Sequence, residues 1–204
     1  MELKKVFEER RSVNYFDSSR EIEENILKEI IELAVLAPSA FNLQPWKIVA
    51  VKSKEAKERL MKFASNQPKI VEAPVTLIIA GDKKGFEADN PEWELLEKIV
   101  GSKEVVANYQ GFASMLYGTS EERKIKFAES NAALLAMSIM YAAKEYGVDT
   151  HPMSGIDFEG IVKEFGLEER YSVVMLIALG YFDSSKELYP RRARKGYNEI
   201  VEEI

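Results

Sequence analysis

The chain has 204 residues with 46% hydrophobic side chains, enough for one domain of ordinary size around a real core. It has no cysteine and a single histidine, His151. That excludes disulfides, thiolate nucleophiles and zinc-thiolate or iron–sulfur sites, argues against a histidine-built zinc site, and leaves any Ser-His-Asp triad dependent on one residue. The net charge of −6 argues against a general nucleic-acid binder. The polar start Met1-Glu2-Leu3-Lys4-Lys5 lacks the apolar core of a signal peptide, and the apolar run Ala132 to Ala143 is too short to span a membrane. A soluble cytoplasmic protein is the default expectation.

Val6 to Arg11 reads as a short helix end that delivers Arg10, Arg11 and Ser12 to a turn. Two guanidiniums beside a hydroxyl suit a phosphate, because arginine offers planar paired donors at fixed charge. A solvated basic surface is the ordinary alternative. From Ile22 to Leu36 a helix is expected, since Ile22, Ile26, Ile30, Leu33 and Ala37 recur at three-to-four spacing and Glu21, Glu23 and Glu24 crowd its first turn. Pro38 ends it. The following stretch, Ala37-Pro38-Ser39-Ala40-Phe41-Asn42-Leu43-Gln44-Pro45-Trp46, is bracketed by two prolines, and Pro45 is expected to push Gln44 toward an extended geometry. Such a stiff loop holds Ser39, Asn42 and Gln44 ready for a ligand at little ordering cost. Equally, it can be a helix-to-strand turn whose polar groups satisfy their own backbone.

Trp46 to Val51 reads as a strand and Ser53 to Ser65 as a helix rich in Lys and Glu. Asn66 and Lys69 follow, and one reading of them is a helix-capping Asn beside an exposed Lys. Val75 to Ala80 is an apolar run long enough for a buried strand. Gly81 to Lys126 is the least legible part. Trp93, Tyr109, Phe112, Met115 and Tyr117 are scattered through it and most are expected to pack it onto the body. Ala128 to Tyr146 is a second strong helix, apolar nearly all round from Ala132 to Ala143, with Gly147 as its C-cap. His151 to Asp157 reads as a turn, Asp157 as the N-cap of a helix from Phe158 to Phe165, and Tyr171 to Tyr181 as a buried strand ended by Gly180. The tail carries Arg191, Arg192, Arg194 and Lys195.

Arg10-Arg11-Ser12, then Pro38-Ser39-x-x-Asn42-x-Gln44-Pro45-Trp46, then Arg192 and Arg194 before Glu199-Ile200-Val201 together resemble the flavin-dependent nitroreductase family. The resemblance runs from about Val6 to Val201, and residues 86–129 are hard to match. It implies an α+β fold with a mainly antiparallel central sheet surrounded by helices, in an intertwined homodimer. It implies one FMN-binding domain over residues 1–204, with a lid or insert at about 86–129. By the same resemblance Arg10, Ser12, Arg192 and Arg194 surround the FMN phosphate, and Arg11 is a further cofactor-binding residue beside them. Ser39, Asn42 and Gln44 come from the other subunit, and Pro38 and Ala40 of the same loop count among the cofactor-binding residues. Asn66, Lys69 and the loop Pro152, Met153, Ser154 and Gly155 fix the flavin ring, with a backbone N–H of Ser154 or Gly155 at its N5. Phe112 and Tyr117 are the lid candidates. Three departures stand out. Asn14 occupies a flavin-contact position where the family commonly has a basic residue. Gly196 stands where a proline is common. The insert is poorly matched. Asn198 to Val201 is expected to be an extended arm that embraces the partner.

The chemistry implied is hydride transfer from NADH or NADPH to FMN, then reduction of a small electron-poor acceptor, nitroaromatic or quinone-like, in ping-pong order. The flavin carries that chemistry, so no catalytic side chain and no metal is required. The lack of G-x-G-x-x-G and G-x-x-x-x-G-K-[ST] fits this and disfavours a Rossmann dehydrogenase or a P-loop nucleotidase. Two alternatives remain open at this point: the same fold with other flavin chemistry, such as dehalogenation or flavin fragmentation, and a non-enzymatic flavin-binding protein.

Overall fold

Strand β2 (Val75–Asp82) is the most buried element of the sheet, and the fold is layered around it. The computed structural model describes residues 2–204. In it β2 pairs on one edge with β1 (Trp46–Val51) and on the other with β4 (Tyr171–Gly180), which in turn pairs with β3 (Asp149–Met153). All three pairings are antiparallel. The register sets Trp46 opposite Gly81, Val75 opposite Leu179 and Met153 opposite Leu176, with one slip in β2 between Ile79 and Ala80.

Alternation along the two central strands divides the core. Leu77, Ile79, Ile177 and Leu179 face Ile30 of α2 (Glu24–Ala34) and Leu135, Ala136 and Ile139 of α7 (Glu121–Glu145). Ile78, Ala80, Leu176 and Ala178 face the other way, onto Leu60 of α3 (Lys54–Lys62), Ile70 of α4 (Lys69–Glu72) and Ile161 of α8 (Phe158–Glu164). A sheet covered on both faces explains why β2 and β4 read as apolar runs. Glycine is needed at Gly81, where α7 crosses closest: a Cβ there would lie 2.3 Å from the Ala128 carbonyl oxygen.

The illegible stretch resolves into helices. After β2 come α5 (Glu92–Val100) and α6 (Lys103–Tyr117), separated by Gly101 at φ 68°. Leu43, Phe86, Trp93, Val106, Ala113 and Phe127 form a third cluster beneath them. Helix α7 begins at Glu121, seven residues before the expected Ala128, with Ser120 accepting from the Arg123 N–H. Its first turns are charged, which hides the apolar period.

Two further expectations change. His151 and Pro152 lie in strand β3 rather than in a turn; only Ser154 to Asp157 turns. Proline is tolerated there because β3 is an edge strand. The tail, expected as an extended arm, holds one exposed helical turn, α9 (Tyr197–Ile200), with the Gly196 N–H donating to Glu199 Oε2 at 2.8 Å. The N-terminal helix, α1, spans Leu3–Glu9. Among the described residues no helix is long and apolar enough to cross a membrane.

The expected cap at Asp157 is present, its Oδ1 accepting from the Gly160 N–H at 2.9 Å. Asp157→Ala should cost about 1 kcal/mol of stability, read as a lower urea midpoint with unchanged slope.

Candidate active site

The two ends of the chain meet in one cleft. Arg10, Arg11, Ser12 and Asn14 line it from the N-terminal side, and Tyr189, Pro190, Arg191, Arg192 and Arg194 from the C-terminal side, around about 350 Å³. Backbone contacts build it. Ser12 bridges to Thr150 of β3, and the Val13 N–H donates to the Thr150 carbonyl at 3.0 Å, which fixes the segment after α1 against the sheet edge. Arg11 donates to the Tyr189 carbonyl, and Arg191 donates to the Glu8 carbonyl at 2.5 Å, which ties the tail across it. The Tyr15 and Tyr189 hydroxyls lie 3.2 Å apart.

Charge in the cleft is unbalanced. Arg10 is held below its ordinary pKa by burial, an effect opposed by Tyr141 and reinforced by the like charges of Arg191 and Arg194. Among the described residues no ion pair engages Arg10, Arg11, Arg191, Arg192 or Arg194. Arg192 and Arg194 are exposed, and Arg194 donates to the Arg192 carbonyl at 2.9 Å. Converging guanidiniums with no carboxylate partner fit a dianion such as a phosphate.

A second group of predicted residues adjoins this cleft. Lys69 is half-buried, which does not fit the alternative of an exposed lysine beside a cap. It donates to Gln67 Oε1 at 3.1 Å, and its pKa is lowered by burial, against the raising influence of Glu72 and Tyr189. Its charge also reaches His151. That imidazole is pushed down to about 4, first by burial and then by Lys69. His151 is therefore neutral near pH 7. Its Nδ1 lies 2.8 Å from the Val13 carbonyl, which can only accept, so Nδ1 carries the proton. Asn66 is exposed and left-handed at φ 54°, as is Ser65 at φ 52°; the Ser65 hydroxyl reaches toward the Gly155 carbonyl at 3.5 Å. Ser154 and Gly155 are exposed, Pro152 is half-buried, and the Met153 side chain is turned into the core. A Cβ on Gly155 would meet nothing within 4 Å, so the chain's own packing does not require glycine there.

The Pro-Ser loop stands apart. Pro38 borders a different, apolar cleft with Leu3, Leu36 and Tyr141, and Pro38, Ser39, Ala40, Asn42 and Gln44 do not line the arginine cleft. Gln44 is not extended: it sits at φ 47°, and Phe41 and Asn42 are left-handed too, at φ 54° and 55°. Pro45 disfavours the right-handed region for Gln44, and the chain takes a positive φ there instead, with Ser39 Oγ accepting the Gln44 N–H at 3.0 Å. Each such residue costs about 1–2 kcal/mol, so the geometry is held from outside. The Phe41 ring lies 5.7 Å from Trp93 and 6.1 Å from Tyr109. Of the two lid candidates, Phe112 is 49% exposed, whereas Tyr117 packs inward against Phe127 at 4.6 Å.

Sequence reasoning missed Phe41, Asn131, Tyr189 and Arg191 in this setting. Arg191 belonged to a visible basic run, and Asn131 was a lone amide in an apolar helix. Nothing in the sequence marked Phe41 or Tyr189.

Known proteins share this arrangement of elements. The family model for the nitroreductase family matches residues 7–181. MhqN of Bacillus subtilis (strain 168), a proposed NAD(P)H nitroreductase, is 38% identical over 196 residues, 95% of each chain. The crystal structure of ydfN, a proposed nitroreductase from Bacillus subtilis, superposes with a TM-score of 0.91 at 34% identity, covering 100% of this chain and 99% of that one. A proposed nitroreductase from Exiguobacterium sibiricum 255-15, solved in complex with FMN, gives a TM-score of 0.86 at 25% identity over 99% and 97% of the two chains. With a model match over most of its length, and with its helix-covered antiparallel sheet, the chain belongs to the nitroreductase family.

Proposed function

We infer that the chain is an FMN-dependent oxidoreductase that uses NADH or NADPH to reduce small electron-poor acceptors, nitroaromatic or quinone-like. The observation that carries this reading is the cleft where both chain ends bring arginines together without carboxylate partners. The FMN phosphate would sit among Arg10, Ser12, Arg192 and Arg194, with Arg11 lining the same cleft. Such a cluster lets a chain of net charge −6 hold a dianion. Asn14, in the same cleft, offers an amide where the family commonly has a cation.

Asn66, Lys69 and the loop Pro152 to Gly155 would hold the ring. Lys69, half-buried and lowered in pKa, gains most from a carbonyl or a developing anion beside it. The exposed backbone at Ser154 and Gly155 offers an N–H, and the open space at Gly155 supports close approach of a ligand. When bound, FMN supplies the two-electron hydride chemistry; the chain's residues bind, orient and set charge. Donor and acceptor would use one open face by turns, giving ping-pong kinetics.

In this reading the chain acts as a homodimer, and Pro38, Ser39, Ala40, Asn42 and Gln44 complete the partner's site. Their separation from the arginine cleft supports it, as do the exposed apolar side chains Leu3, Phe7 and Leu36. Residues 1–204 would form one FMN-binding domain, with 86–129 as its lid. Phe112 is the stronger candidate to touch a flat acceptor.

The test is a visible spectrum of the purified protein, taken anaerobically before and after NADH and then NADPH. Flavin bands that bleach are expected, with the faster donor the preferred one. A colourless protein that fails to take up added FMN would overturn the reading; flavin bands that neither donor bleaches would overturn the nicotinamide part.

A further inference from the structure

Helix α7 buries one polar side chain among its apolar ones, Asn131, which is 6% exposed. Its Oδ1 accepts the Ala40 N–H at 2.9 Å, and its Nδ2 donates to the Phe127 carbonyl at 2.6 Å. Both partners are backbone groups with fixed roles, one donor and one acceptor, so the amide has a single satisfying orientation. The Phe127 bond lies within α7 and locks the side chain; the Ala40 bond spans 91 residues to the Pro-Ser loop. Ala40 directly precedes left-handed Phe41 and Asn42.

Other anchors surround this clamp. Leu43 is buried, its carbonyl accepts from Asn90 Nδ2 at 3.0 Å, and the Phe41 ring leans on Trp93. These hold the far side of the loop. Only the Asn131 bond ties its entry, where Ser39 and Ala40 leave Pro38, to the rigid central helix among the described hydrogen bonds. Phe127 itself packs edge-on to Phe86 at 5.5 Å, so the clamp rests on the cluster under α5 and α6.

We propose that Asn131 is a positioning residue: it holds the Ser39–Gln44 loop in its left-handed course and so presents Ser39, Asn42 and Gln44 to the flavin. The second half of that statement rests on the proposed function; the first does not. The experiment therefore has two arms. In the first, hydrogen exchange is followed in protein without added flavin. Asn131→Ala should lower protection at Ala40 and Gln44 at least tenfold, with β2 amides unchanged. Unchanged protection at Ala40 and Gln44 overturns the proposal, and so does an equal loss in β2, which would make Asn131 a general packing residue.

If the alanine variant does not fold, Asn131→Asp replaces it. Its ionised carboxylate can accept from Ala40 but faces the Phe127 carbonyl without a proton; when protonated it restores both bonds. Protection of the loop relative to β2 should return toward the parent's as pH falls through the titration of that carboxyl. A loop insensitive to that titration overturns the clamp. In the second arm, flavin affinity is measured. Asn131→Ala should weaken FMN and riboflavin by the same factor, on the order of tenfold, since the loop lies outside the arginine cleft. Weakening confined to FMN overturns the positioning role. A parent protein that binds neither flavin would sink the proposed function and leave the exchange result standing.

Discussion

Arg194→Ala should weaken FMN binding about thirtyfold and leave riboflavin binding nearly unchanged, and the double variant Arg10→Ala/Arg194→Ala should reach about a thousandfold. The two flavins differ by the phosphate, so their ratio isolates the sub-site from everything that touches the ring. A charge-assisted hydrogen bond to a dianion is worth about 2 kcal/mol, and each 1.4 kcal/mol is a factor of ten. Arg10 should matter more per residue than Arg192 or Arg194. It is half-buried where they are exposed, and less water screens it. Raising salt should for the same reason erode FMN affinity more than riboflavin affinity. The control is Lys83→Ala. Lys83 is a cation of the same chain, bonded to Glu121 at 2.7 Å and absent from the cleft, and its loss should move neither flavin. Titrating flavin-free protein by fluorescence quenching gives all the constants. A riboflavin loss equal to the FMN loss, or a Lys83→Ala effect equal to Arg194→Ala, would remove the arginines from the phosphate.

Much of the scaffold was legible because its signals are local. Trp46 to Val51 forms the expected strand because β-branched residues favour a pleated surface, and Asp157 caps its helix because a short acceptor there meets a free N–H. Where tertiary context decides, the sequence was silent or pointed elsewhere. Pro152 reads as a turn residue until its strand proves to be an edge. Gln44 reads as extended until Ser39 Oγ claims its N–H across five residues. The charged turns from Glu121 conceal a helix whose apolar period starts later. The predicted site residues show the same division. Arginine is recognisable by type, and the fold does bring Arg10 beside Arg194. Nothing local says that Lys69 will sit near His151, or that Asn131 will reach Ala40, because those contacts exist only once α4, β3 and α7 have packed.

His151 gives the second large prediction, in stability. Its pKa falls from the ordinary 6.5 to about 4 in the folded chain, first by burial and then by the charge of Lys69. The unfolded chain therefore binds a proton at higher pH than the native one does. The contribution is fully present above pH 6.5, is lost progressively as pH falls from about 6.5 to about 4, and changes no further below that. The full shift corresponds to about 3 kcal/mol; because the ring is not wholly shielded from water, about 2 kcal/mol is expected. His151→Gln keeps a donor for the Val13 carbonyl and removes the titration. Urea unfolding of flavin-free protein at pH 7.5 and pH 5 should then show a drop in the parent that is much smaller in the variant. The carboxylates Asp17, Glu121, Glu122 and Asp183 do not confuse the comparison. Their pKa values are lowered by their hydrogen bonds, chiefly from Ser19, Lys83, Ser120 and Ser185, so their contributions are lost only at more acid pH. Lys69→Met should act in the same direction as His151→Gln but less, since it removes the second cause and leaves the first. Parallel pH profiles for parent and His151→Gln would mean that the imidazole is not held neutral by the fold. An acid limb made steeper by Lys69→Met would mean that the ammonium does not bear on it.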